Sequence, residues 1–142
     1  TGVDLSSGML GKARGRQVYD ELQQAELCAF MRQHAGRFDL IVSADTLVYF
    51  GALDEAMTAA AQALRPGGRL CFTVEALGEG EAVDYHLQHH GRYVHSRAYL
   101  AAQLAQAGLA VQRLDAVALR LEGGEPVAGW LVLAQQPAGI PA

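Results

Sequence analysis

The 142-residue sequence predicts one α/β domain with a mostly parallel sheet that ends in an antiparallel hairpin. A nearly continuous apolar run at residues 38–44 is followed by an amphipathic helical pattern at 53–64 and a second apolar run at 70–74. This strand–helix–strand order is typical of a right-handed parallel crossover. Near the end, two long apolar segments flank the connection 122–126, which is short enough to join only antiparallel strands.

The first third of the chain predicts four elements. Residues 1–4 have the character of a strand end, and Ser6 stands where a helix N-cap is required. Residues 17–19 suggest a short edge strand. Residues 26–33 carry apolar side chains at helical spacing, and Gly36 suits the position after that helix.

The central elements follow in order. The run at 38–44 favours a strand covered on both faces. Residues 53–64 place apolar side chains at i, i+3, i+4 and i+7, the clearest helical pattern in the chain. The Pro-Gly-Gly sequence at 66–68 ends that helix, and residues 70–74 form the next strand.

The last part begins with residues 76–95, which hold several glycines and acids and four of the five histidines. We expect this segment to be a mobile cover over a cleft. Ser96 then caps a helix that reaches Gly108, and residues 111–121 and 127–134 form the closing hairpin.

Composition excludes several classes of protein. The chain is 51% apolar and 18% charged, which excludes a disordered chain, and its net charge of −4 gives no evidence for nucleic-acid binding. No apolar run approaches the roughly 20 residues of a membrane span, and no signal peptide opens the sequence. With only two cysteines, we expect a reduced, cytoplasmic protein with no membrane partner.

Asp4 is the first candidate for a functional role, because it ends the first predicted strand. Open α/β sheets bind ligands beyond the carboxyl ends of their strands, and a carboxylate can accept from both hydroxyls of a ribose. The alternative is a solvated aspartate in a turn.

Four segments resemble the class I S-adenosylmethionine-dependent methyltransferases. They are GVDLSSGML at 2–10, AEL at 25–27, FDLIVSADTLVYF at 38–50 and LRPGGRL at 64–70. Together with the closing hairpin they cover nearly the whole chain. The resemblance implies a Rossmann-like methyltransferase sheet, S-adenosylmethionine as cofactor and methyl transfer to an acceptor of unidentified class.

The resemblance also implies a set of binding residues. Asp4 would hold the ribose, and a group of neighbours would contact the adenine: Leu5, Met9, Glu26 and Leu27. Ser43, Asp45 and Tyr49 would face the methionine part and the acceptor, although Asp45 is equally typical of an N-cap. No catalytic base is identified.

Two further stretches resemble a bacterial subgroup of methyltransferases that carry TPR repeats. These are GRYVHS at 91–96, and LRLE at 119–122 with PVAG at 126–129. Membership would imply an upstream domain in the same protein.

One feature of the family is absent. The glycine-rich loop after the family's first strand has no counterpart, because Thr1 already lies in what resembles the second strand. In the family the first strand is central, in the order 3-2-1-4-5-7-6. We therefore expect residues 1–142 to be an N-terminally incomplete domain, in which the strands at 1–4 and 38–44 have no partner between them.

The histidines offer alternative functions. His86, His89 and His90 would share one side of a helix and could bind a metal, but we expect an exposed cover and no metal. His95, beside Tyr93, could act as a general base or be a histidine at a helix entry. Two other functions stay open: a nicotinamide-dependent oxidoreductase, and a degenerate, non-catalytic binding module.

Overall fold

Strands and helices alternate through residues 1–139, the part of the chain that the computed structural model describes. The elements are β1 (Gly2–Asp4), α1 (Ser7–Arg16), β2 (Leu22–Gln24), α2 (Leu27–Arg32), β3 (Phe38–Ser43), a 3-10 turn (Leu47–Tyr49), α3 (Asp54–Ala63), β4 (Leu64–Ala76), β5 (Tyr85–Leu87), β6 (Tyr93–His95), α4 (Arg97–Gln106), β7 (Ala110–Glu122) and β8 (Glu125–Gln135). The predicted α/β class, the helices and the closing hairpin are confirmed.

β4 is the central strand of the larger sheet. It pairs in parallel with β3, where Val42 is opposite Cys71, and with β6 near its own carboxyl end. On its other edge it pairs antiparallel with β8, which in turn pairs with β7. β1 and β2 form a separate, parallel two-stranded sheet.

The predicted edge strand at residues 17–19 is wrong, because the strand lies at Leu22–Gln24. Gln17 ends α1 in the left-handed conformation with φ 54°, and its N–H donates to the Arg14 carbonyl. Gln17 therefore belongs to the end of α1. The residues after it form a turn, and only then does the chain pair with β1 as β2.

The segment 76–95, expected as a mobile cover, instead contains the β5–β6 hairpin attached to β4. Gly91 adopts φ 89° in the connection, a conformation that suits glycine, and the rings of Tyr85 and Tyr93 meet edge to face 5.9 Å apart. Because Val94 is buried, the hairpin is an integral part of the sheet.

The core lies between the larger sheet and helices α2, α3 and α4. α3 packs through small side chains: Ala56, Ala59, Ala60 and Ala63 are all buried. Phe72, Leu100 and Val132 fill the space beyond them and are almost fully buried. Within residues 1–139, no helix is both long and apolar enough to cross a membrane.

β3 is covered on only one face, contrary to the prediction. Leu40 is 57% exposed and Val42 is 65% exposed, whereas Ile41 packs against the core. No strand among the described residues pairs with the edge of β3 opposite β4, and β1 likewise pairs only with β2. In the described residues β1 and β3 therefore each have one edge without a paired strand.

Candidate functional site

The carboxyl ends of β3 and β4 lie at one edge of the larger sheet, because these strands are parallel. Ser43 ends β3, Asp45 follows it, and Glu75 is close to the end of β4. Ligands of open α/β sheets bind at this edge. The predicted acceptor-side residues therefore lie where the fold favours a ligand.

Asp4 ends β1 and shapes the turn into α1. Its Oδ1 accepts from the backbone N–H of Ser6 at 2.8 Å, and the Ser6 hydroxyl oxygen accepts from the N–H of Met9 at 3.2 Å. Its Oδ2 accepts no hydrogen bond from residues 1–139. One carboxylate oxygen thus holds the turn, and the other is free to accept from a ligand hydroxyl.

Leu5 and Met9 lie beside this carboxylate and are exposed by 66% and 54%. Leu10 is the buried side chain of α1, so the helix does not need Met9 for packing. Exposed apolar side chains next to a free carboxylate suit an adenosine, which has an apolar base and a hydroxylated sugar. This part of the site fits the implied cofactor.

Glu26 has a structural role that the sequence reasoning did not assign. It is the N-cap of α2, where Oε1 accepts from the Cys28 N–H at 2.9 Å and Oε2 from the Ala29 N–H at 2.8 Å. These backbone hydrogen bonds lower the pKa of Glu26. Each oxygen keeps a lone pair for the adenine contact that the resemblance implies.

An open, mainly apolar space of about 550 Å³ separates β1 from β3, and we call it the slot. It brings Leu27 and Ser43 together, two of the predicted site residues. Most other side chains that line it are apolar, among them Val3, Phe38, Val42, Leu47 and Met57. The remaining predicted residues lie outside its lining: Asp4, Leu5, Met9, Glu26, Asp45 and Tyr49.

Asp45 has an unusual backbone, with φ 53°, a left-handed conformation that aspartate tolerates better than most residues. Its Oδ1 accepts from Nη1 of Arg120 at 3.1 Å. It does not cap a helix, because Thr46 holds the cap position of the following 3-10 turn and makes no capping bond with its side chain. Tyr49, at the end of that turn, is exposed.

Two arginines and two glutamates form a closed network that the sequence reasoning did not assign to the site; we call it the Arg/Glu ring. Arg92 Nε donates to Glu75 Oε2 at 3.0 Å, and Arg120 Nη2 donates to Glu75 Oε1 at 3.1 Å. Both guanidinium groups also donate to Glu122 Oε1, at 2.6 and 3.1 Å. The stretches 91–96 and 119–122, singled out for their resemblance, carry three of these four residues.

His95 is fully buried, so it does not face a cleft as a general base would. Its Nε2 lies 2.9 Å from the Gly51 carbonyl oxygen, and its own carbonyl accepts from Trp130 Nε1 at 3.1 Å. Tyr99, whose ring stacks on His95, accepts from the Leu53 N–H through its hydroxyl oxygen. The pair therefore holds the loop between the 3-10 turn and α3.

The profile of the family described as "Methyltransferase domain" matches residues 1–72, half of the chain. The chain belongs to this methyltransferase family. It is also 35% identical over 79 residues to the ubiquinone biosynthesis O-methyltransferase of Aromatoleum aromaticum, and 38% identical over 76 residues to the malonyl-[acyl-carrier protein] O-methyltransferase of Enterobacter lignolyticus. These alignments cover 51% and 54% of the chain but only 33% and 30% of the relatives, so the chain spans about a third of their length.

Solved structures share the fold of the methyltransferase domain. An S-adenosylmethionine-dependent methyltransferase from Methanosarcina mazei aligns with a TM-score of 0.73 at 13% identity, covering 97% of this chain and 82% of the other. The [4+2]-cyclase SpnF aligns with a TM-score of 0.78 at 15% identity, covering 97% and 66%. The Rossmann-like methyltransferase fold is thereby confirmed. The family that matches is a methyltransferase family and not a nicotinamide-dependent oxidoreductase family.

The histidines of the β5–β6 hairpin and its connection, His86, His89 and His90, do not share one side of a helix. His86 lies in a strand and pairs with Glu81 at 2.8 Å, so the helical arrangement considered for His86, His89 and His90 does not occur. Across residues 1–139, no group of three or more potential ligands is placed to hold a metal ion.

The burial of His95 predicts a pH-dependent stability of the methyltransferase domain. Desolvation lowers the pKa of His95 below its usual value of 6.5, so the folded state binds fewer protons than the unfolded state. Stability is therefore fully present above about pH 6.5 and decreases as the pH falls below that value. We expect unfolding in urea to show a lower free energy of unfolding at pH 5.5 than at pH 7.

The His95→Gln variant is the matched control for this prediction, because glutamine can still donate to the Gly51 carbonyl but does not titrate. The stability difference between the two pH values should be smaller in the variant. An equal difference in both proteins would show that His95 is not its source.

Proposed function

We propose that this chain is the cofactor-binding part of an S-adenosylmethionine-dependent methyltransferase. The observation that carries the proposal is the free carboxylate oxygen of Asp4 beside the exposed side chains of Leu5 and Met9, within the part of the chain that matches the family. The named relatives are O-methyltransferases, which supports an oxygen atom as the methyl acceptor.

The residues of this chain would bind and orient. When bound, S-adenosylmethionine supplies an electrophilic methyl group, and the protein contributes alignment and exclusion of water. Asp4 accepts from the ribose hydroxyls, and Leu5 and Met9 pack on the adenine. Glu26 and Leu27 border the adenine edge from the start of α2.

The acceptor side would lie at the carboxyl end of β3. Ser43 and Asp45 face the methionine part of the cofactor, and the exposed Tyr49 faces the acceptor. The net charge of −4 disfavours a nucleic-acid acceptor, because such partners require a basic surface. A small molecule or a carrier-bound group is therefore the proposed acceptor class.

A further strand would complete the domain by occupying the slot. Its backbone would pair with β1 on one side and β3 on the other, and its side chains would pack beside Leu40 and Val42 on the same face of the sheet. The resemblance supports a strand followed by a glycine-rich loop, from an upstream segment of the same protein. A bacterial, cytoplasmic protein with TPR repeats ahead of this domain is the proposed context.

A non-catalytic module is the second candidate. The [4+2]-cyclase shares this fold, and a fold alone does not determine chemistry. The open slot also favours it, because a slot between strand edges can bind an extended segment of a partner protein.

Substitution of Asp4 tests the proposed cofactor site in the whole protein. Losing a charge-assisted contact with the ribose costs about 1.5–3 kcal/mol, so Asp4→Ala should weaken binding of S-adenosylmethionine about 10- to 100-fold. Titration calorimetry measures the affinity.

Two variants make this test specific. Asp4→Asn keeps an oxygen that can accept from the Ser6 N–H but loses the charge, so it should also weaken binding. Asp20→Ala, an exposed aspartate in the turn before β2, should leave the affinity unchanged. Unchanged affinity in both Asp4 variants would refute the assignment and favour the non-catalytic module.

A further inference from the structure

The Arg/Glu ring is anchored by a buried carboxylate. The Glu75 side chain is 4% exposed, yet both of its oxygens accept from guanidinium groups, one from Arg92 and one from Arg120. Buried charges are stable only when paired and hydrogen-bonded, and this arrangement meets that requirement. Glu75 therefore fixes the two arginines at the carboxyl end of β4.

Arg120 extends from the ring to the turn that follows β3. Its Nε and Nη2 are used by Glu122 and Glu75, and its Nη1 donates to Asp45 Oδ1. In the described chain this is the only hydrogen bond of the Asp45 side chain. A single guanidinium thus joins the exposed turn to the buried end of the neighbouring strand.

The ring does not have the charge of an anion-binding site. Two guanidinium groups face three carboxylates, those of Glu75, Glu122 and Asp45, so the cluster carries a net negative charge. A ligand phosphate or carboxylate would have to displace one of these acids. The arrangement instead suits a structural role, because the three guanidinium nitrogens of Arg120 donate to three different parts of the fold.

We infer that Arg120 is a positioning residue, which fixes the turn of residues 44–46 through Asp45 so that Ser43 and Asp45 face the ligand. The inference rests on the proposed function for the identity of that ligand. Asp45 holds its left-handed backbone with Arg120 attached, and loss of the attachment frees the turn to take other conformations.

Two variants test the inference in the full-length protein. Asp45→Asn removes the charge of an exposed residue, and asparagine tolerates the left-handed conformation, so the fold is retained. Arg120→Lys keeps the charge but replaces three directed donors by one ammonium group, which cannot reach all three acids. Arg113→Lys is the matched control, because Arg113 lies in the same strand and, among residues 1–139, pairs only with Asp115 at the surface.

The first readout is amide hydrogen exchange, which needs no ligand. The N–H groups of Tyr49 and Phe50 donate to the carbonyls of Thr46 and Leu47 within the 3-10 turn. We expect their exchange to accelerate about 10-fold in both test variants, with the amides of β8 unchanged. A residue that only stabilised the fold would accelerate exchange in both places.

The second readout is the dissociation constant of S-adenosylmethionine, expected to rise about 10-fold in both variants and to stay constant in Arg113→Lys. Unchanged exchange at Tyr49 and Phe50 would overturn the inference, whatever the affinity. Accelerated exchange with an unchanged dissociation constant would overturn it as well. If the unsubstituted protein does not bind S-adenosylmethionine, the proposed function fails, and the exchange result alone then supports or overturns the role of Arg120.

Discussion

Residues 1–142 on their own are expected to bind S-adenosylmethionine no more tightly than about 1 mM, which corresponds to about −4 kcal/mol. Asp4 lies on a two-stranded sheet of three-residue strands, and such a sheet is marginally stable without further partners. Because the slot separates this sheet from β3, no backbone pairing holds Asp4 in register with Ser43.

Calorimetry on this chain and on the whole natural protein measures the difference. We expect the whole protein to bind at micromolar concentration, about 1,000-fold more tightly, because a strand in the slot pairs both open edges. Asp4→Ala should weaken binding by the whole protein and have no measurable effect on the isolated chain. A micromolar dissociation constant for residues 1–142 would show that nothing is needed in the slot.

Glu75→Gln is expected to destabilise the domain by about 2–4 kcal/mol. Removing one partner from a buried ion pair costs about 3–5 kcal/mol, since the remaining charge is left without compensation. The cost is smaller here because the side chains of Arg92 and Arg120 are 19% and 28% exposed, so water can solvate their charges. Glutamine preserves the size of the side chain, so the change isolates the charge.

Urea unfolding, followed by the fluorescence of Trp130, measures this effect, since the chain has a single tryptophan. Glu79→Gln is the control, because Glu79 is exposed in the segment before β5 and forms no ion pair within the described residues. A loss below about 0.5 kcal/mol for Glu75→Gln would show that water, and not the carboxylate, balances the two arginines.

The elements that the sequence predicted well are those with a strong local signal. The helix at 53–64 was indicated by its apolar periodicity, and the closing hairpin by its short connection. Both signals lie within a few consecutive residues. The strand at 22–24 was missed because its sequence, Leu-Gln-Gln, has no apolar alternation. It forms through pairing with β1, which a local pattern does not contain.

The residues of the candidate site also differ in whether a local sequence pattern could identify them. Asp4 could be selected because it ends a predicted strand, but the capping role of Glu26 depends on where α2 begins. The hydrogen bonds of the Arg/Glu ring join residues up to 45 positions apart in the chain, and Arg120 also donates to Asp45, 75 positions away. Sequence patterns marked the stretches that carry Arg92 and Arg120, whereas their meeting at Glu75 depends on the order of strands in the sheet.

The position of β8 between β4 and β7 has a consequence for biosynthesis. During translation, β3 is synthesised before β4 and can pair with it early. The other edge of β4 pairs with residues 129–135, so Arg69 cannot pair until Gln135 has been synthesised. At about 5–20 residues per second, the ribosome needs several seconds to supply that segment. Through this interval the apolar side chains of Phe72 and Val74 lack the strand that brings Val132 into the core. The larger sheet therefore closes late, after β8 has emerged.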